Sequence, residues 1–235
     1  MGKTLTIYWA PSKFLTTGDQ WNLLYQEPKP VIETITGDGV PNNTIIKCPA
    51  TRATLKNVFA FVATHEDTVP IAPGDDQNGI VKLIQPRPSS MIGYRNWQYN
   101  LSWLLFAEEP VTARLTAPYF PTVSPADGAL LAPGHFDIGQ WYRPMNLDYH
   151  IPVEANTFSV RENQPLAFLD IETDRQVRFV RYRMTQELFT LSEECVNVSN
   201  MYSRGVPLSK RYAQFRQSGL RDIVLSEIKK NVVPL

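Results

Sequence analysis

The sequence predicts a mainly β protein of α+β class, an antiparallel sandwich or β-clip-like barrel over residues 1–183 followed by a helical segment over 184–235. Three observations carry this. Most of the nineteen prolines fall in the first two thirds, where each removes a backbone donor and breaks any helix it enters. Short β-branched and aromatic runs recur there between turn residues, the rhythm of a sandwich or barrel and not of alternating βαβ units. After Arg183 the apolar spacing changes from two to three and four, the period of a helix.

In order along the chain, Leu5, Ile7 and Trp9 alternate with Thr4, Thr6 and Tyr8, the pattern of a half-buried strand. A loop is expected through Pro28 and Pro30. Strands are expected over Thr44 to Cys48, Asn57 to Ala63 and Gly79 to Gln85, with Ala72 to Asn78 as an exposed loop. Asn96 to Ala107 is the most apolar stretch and should be a central strand, with Val111 to Ala117 its antiparallel neighbour across a tight turn. Further strands are expected over Ile138–Tyr142, Met145–Ile151, Thr157–Val160, Leu166–Ile171 and Val177–Tyr182. Leu188, Leu191, Cys195 and Val198 mark one amphipathic helix, Leu220, Ile223, Val224 and Ile228 another, and Leu208 to Gln217 a third between them. The helical segment should pack on the core or on a partner subunit.

Composition narrows the function. Lys plus Arg equals Asp plus Glu at 23 each, so no net field draws the chain to nucleic acid or an anionic membrane. From Arg175 onward there are eleven basic and five acidic residues, which a solvated helical surface accounts for. Cys48 and Cys195 lack metal-ligand spacing, so both are expected as thiols. No apolar run suits a signal peptide or a membrane span. Gly2-Lys3-Thr4 lacks the earlier glycine of a phosphate loop, and no Gly-x-Ser-x-Gly occurs.

The chemistry-bearing residues concentrate in Gly134 to His150. His135, Asp137, Trp141, Tyr142, Arg143 and His150 combine aromatic walls with a few polar groups, the composition of a recognition pocket or, equally, of a structural corner. His135 and Asp137 would share one strand face, and with His150 they could hold a metal as two imidazoles and a carboxylate. The simpler expectation is no metal and no cofactor. Arg175, Arg178, Arg181 and Arg183 form the densest basic cluster. On a strand Arg178 points away from Arg181 and Arg183, so the cluster divides between two faces and favours ion pairing over phosphate binding.

Gly134, Asp137, Tyr142, Asn156, Phe158, Val160 and Leu166 resemble the late strands of the dUTPase family, which implies a related β-fold over residues 134–171. Asn163 and Gln164 stand where that family has Gly-Asp, and its phosphate-binding serine motif is not found, so no activity is carried over. Cys48-Pro49-Ala50, Trp97 to Phe106, the run from Phe136 to Pro144 and Gln164 to Phe168 resemble a family of uncharacterised proteins of marine bacteriophages and related viruses. That resemblance spans most of the chain and implies a viral origin, with the protein in the virion or in the cytoplasm of an infected bacterium.

The expected function is therefore a non-enzymatic binding or assembly protein that contacts a protein partner or its own copies, without a membrane. The rival expectation is a dUTPase-like nucleotide-binding or metal-dependent enzyme using residues 134–150. Nucleic-acid binding through the basic cluster is a third.

Overall fold

The computed structural model describes residues 4–12, 26–36, 47–64, 66–70, 84–87, 91–118, 128–201 and 207–234. Strand outweighs helix, and two stacked sheets remain open instead of closing into a barrel. The first sheet contains β1 (Leu5–Pro11), β5 (Ile84–Arg87), β6 (Tyr94–Ala107), β8 (Leu130–Leu131), β10 (Pro144–Pro152) and β13 (Val177–Arg181). Its order is β13-β1-β6-β10-β8, with β5 also on β6. The second runs β2-β3-β12-β7-β9, from β2 (Lys29–Pro30), β3 (Val58–Val62), β7 (Thr112–Thr116), β9 (Gly134–Asp137) and β12 (Pro165–Ile171). A separate ladder pairs β4 (Asp67–Pro70) with β11 (Thr157–Val160).

Alternation decides what each face meets. Leu5, Ile7, Trp9, Trp103, Leu105 and Leu147 of the first sheet pack against Phe59, Phe61, Leu115 and Leu169 of the second, each full burial contributing about 1.5–3 kcal/mol. The first sheet's opposite face, carrying Tyr8, Ala10, Leu104 and Phe106, is covered by α3 (Gln186–Met201), α4 (Leu208–Gln217) and α5 (Leu220–Lys230). Leu188, Cys195, Phe215, Val224 and Ile228 supply the helical side of that layer. On the outside of the second sheet, Val31 of α1 (Val31–Thr36) and Leu55, just after α2 (Pro49–Thr54), cover Val58, Ala60 and Phe168.

Several elements depart from expectation, each for a local reason. Lys47 and Cys48 lead into α2 and are not a strand, because Pro49 in the first turn favours a helix start. Residues 44–46, 72–78 and 79–83 lie outside the described residues. Lys29 and Pro30, expected as loop, form β2, and α1 follows directly. β7 is not the antiparallel neighbour of β6: it pairs β12 and β9 in the other sheet. Ile138 lies between them, its carbonyl accepting from Ala107 N–H (3.0 Å) and its N–H donating to the Val111 carbonyl (3.1 Å). The expected strand over Ile138–Tyr142 is displaced to Gly134–Asp137, and a turn follows. β13 pairs β1 in parallel, so the first sheet is mixed.

The helices fall where the spacing places them, but Ile223 is 49% exposed and the side chain of Val198 lies outside the described residues. After α5 the chain returns along β13: Arg183 N–H donates to the Asn231 carbonyl (2.8 Å) and Val233 N–H to the Arg181 carbonyl (2.9 Å). That return covers part of an edge strand that would otherwise present unpaired backbone groups. No helix among the described residues is long and apolar enough to cross a membrane.

Candidate functional site

β8 ends the first sheet and β9 ends the second, and only Ala132 and Pro133 join them, so the two sheets part at this edge. A cavity of about 270 Å³ opens there between β9 and β10, beneath α4. Leu105 from the first sheet and Leu115 from the second reach it from the sandwich interior, and Leu208 and Tyr212 reach it from α4.

Four of the six candidate pocket residues, His135, Asp137, Trp141 and Arg143, line this cavity. Tyr142 does not. It is wholly buried on the helical side of the first sheet, its hydroxyl 3.0 Å from that of Tyr182 and its ring edge-on to Phe106. Burial pushes both phenols well above their ordinary range. His150 also lies off the cavity, opposite Asn96 on β6 and Leu130 on β8, with a buried Nδ1 that has no hydrogen-bond partner.

Asp137 is committed to the fold. One carboxylate oxygen accepts from Val111 N–H (3.1 Å) and Gly139 N–H (2.8 Å), the other from the Gln140 side-chain amide, and Asp137 N–H donates to the Tyr212 hydroxyl (2.8 Å). Aspartate suits this position because its short side chain captures backbone donors two residues on, which ends β9 and turns the chain. Gly139 completes the corner: a Cβ there would lie 2.1 Å from the Glu109 carbonyl oxygen. Arg221 of α5 fastens the same two turns, donating to the carbonyls of Gly139 (3.0 Å) and Glu108 (2.6 Å).

The three residues of the metal alternative are not gathered. Among the described residues no three His, Cys, Asp or Glu side chains could share an ion. His135 is largely exposed with Nε2 3.6 Å from Glu172, beside the Arg114–Asp170 pair.

The basic cluster is divided by its strand. Phe179 packs into the sandwich and Val180 toward the helices, so Arg181, over the Trp9 ring at 5.1 Å, and Arg178 occupy opposite sides. Arg175 is ion-paired with Glu109. Arg183 lies beyond β13, where its backbone binds the C-terminal return.

The sequence reading missed Asn146, Asp148 and Tyr212 as cavity residues. The first two were detectable: with Met145, Leu147, Tyr149 and Ile151 turned inward, the intervening polar residues must share the other face. Tyr212 was not, because its role depends on α4 folding back over β9. No protein family, characterised protein or solved structure matches this chain.

Proposed function

We propose that this chain is a phage-encoded, non-enzymatic binding or assembly protein that works through contact with a protein partner or its own copies, in the virion or in the infected cell. The observation that carries the reading is the state of Asp137. The carboxylate that an enzyme using this region would need as a base accepts three hydrogen bonds and shapes a turn. What remains around the cavity is a mixture of aromatic, aliphatic and polar side chains, the makeup of a recognition site. Contact with a protein is supported by apolar side chains at one end of the first sheet. Ile92 is fully exposed, Met91, Leu130 and Val153 are partly so, and Val153 N–H binds the Gly93 carbonyl (3.0 Å), which holds Ile92 and Val153 close together.

The test combines molar mass in solution over a range of concentrations with mass spectrometry of purified virions. Self-association, or presence in the particle, is the expected result. A chain that stays monomeric and is missing from virions would count against it.

A nucleotide-binding or metal-dependent enzyme is the second reading, favoured by the meeting of His135, Trp141 and Arg143 at one cavity. It expects thermal stabilisation by a nucleotide or divalent cation that is lost in His135→Ala.

A further inference from the structure

β10 carries two different faces. Met145, Leu147, Tyr149 and Ile151 are buried in the sandwich, while Asn146, Asp148 and His150 alternate with them on the half-buried outer side. Asn146 and Asp148 line the cavity, and neither side chain makes a hydrogen bond or ion pair with another described residue. His150 continues the row beyond the cavity, and Asn96 faces it across the ladder. His150 Nδ1 and Asn96 Oδ1 are both buried and without partners. Buried polar atoms are normally paired, because each one left unpaired costs about 1–3 kcal/mol. Asn146 and Asp148, half-buried at the open cavity, present an amide and a carboxylate to a ligand, and the buried His150 and Asn96 atoms extend that polar face beyond it.

We infer that the cavity beneath α4 and the polar face of β10 together bind a neutral saccharide, a ligand that goes beyond the protein contact proposed above. Three features select that chemistry. The Asn146 amide and the Asp148 carboxylate together suit a partner that both donates and accepts, and a sugar hydroxyl does both, whereas a fully ionised phosphate ester only accepts. Arg143 is outnumbered at the same cavity by Asp148 and Asp137, so the site has no excess of cations to prefer an anion. Phe136, Trp141 and Tyr212 add ring surface to the wall, where the C–H face of a pyranose can lie while its hydroxyls meet β10. Tyr212 also holds the overlying helix by its bond to Asp137 N–H, which fixes the roof to the end of β9.

The experiment screens the full chain against an array of neutral and anionic glycans, then titrates the best free oligosaccharide by calorimetry, with inorganic phosphate as the anion control. A neutral glycan should bind, with little change between low and high salt. Asn146→Ala and Asp148→Asn should each weaken it about tenfold, the loss expected for one hydrogen bond, the stronger kind being that to a charged group, while Arg178→Ala on the distant β13 leaves it unchanged. Matched melting temperatures identify the variants as folded. Binding only to phosphate or anionic glycans, binding indifferent to both β10 variants, or no glycan binding by folded protein would overturn the inference. Conversion of a bound glycan into product would instead overturn the non-enzymatic reading and leave saccharide recognition standing.

Discussion

Two adjoining stretches, Asp137–Tyr142 and Arg143–His150, carry similar polar and aromatic residues and put them to opposite uses. In the first, the carboxylate, the following glycine and the tyrosine are consumed by the fold: Asp137 holds three donors, Gly139 lies against the Glu109 carbonyl and Tyr142 is sealed under the helices. In the second, Asn146 and Asp148 stand half-buried at a cavity with no described partner. A conspicuous cluster of functional side chains can thus be the scaffold, and the plain strand beside it the surface left for binding.

Substitutions should break this contrast unequally. Gly139→Ala is expected to have the largest effect, a loss of about 3 kcal/mol or more, because its Cβ would meet backbone at 2.1–2.9 Å and backbone cannot rotate aside. Denaturant unfolding measures it, and a near-neutral result would mean that the corner is loose. Asp137→Ala should follow at about 2 kcal/mol or more, since it strands two backbone N–H groups and an amide.

Alkaline pH probes the buried phenols of both apolar layers. Tyr142, Tyr149 and Tyr182 have phenols raised above 10.0, chiefly by burial. Unfolded tyrosine ionises near 10 while these stay neutral in the native chain. Their stabilising contribution is therefore complete below pH 10 and lost as pH rises toward their native values, at about 1.4 kcal/mol per pH unit for each phenol. Unfolding followed between about pH 9 and pH 11 should show that fall, reduced in Tyr149→Phe.

Thiol labelling gives a smaller, kinetic contrast. Cys195 lies behind Tyr142 with its thiol pushed up to about 11, mainly by burial. Cys48 is exposed and lowered by hydrogen bonds from the Thr51 and Ala50 backbone. A thiol reagent should modify Cys48 at once in native protein and Cys195 only after unfolding. The smallest effect belongs to Asp148→Asn, whose stability should stay within about 0.5 kcal/mol of the parent. A loss as large as that of Asp137→Ala would erase the distinction between the two stretches.

Residues of the fold were legible where one face decides burial. The alternation in Pro144–Pro152 and the helical spacing of Leu188 and Cys195 each reflect one apolar layer, and the structure buries those residues accordingly. Leu5–Pro11, expected half-buried, is instead buried on both faces because the helices cover its second side. Ile223 escaped because α5 buries a narrower stripe than its apolar content suggests. The partition of 134–150 into corner and cavity was not legible, because it depends on donors from Val111 and on a roof from Tyr212, both remote in sequence.

By itself, the sequence determined where most of the described strands and the C-terminal helices form and which side of β10 turns inward, since a side chain's periodicity and its aversion to water are local properties. Tertiary structure alone decided that β6 and β7 belong to different sheets, that β13 runs parallel to β1 and that Asp137 is spent while Asp148 stands open. Those outcomes depend on which distant backbone groups find one another, and hydrogen bonds are satisfied by proximity in space whatever the separation along the chain.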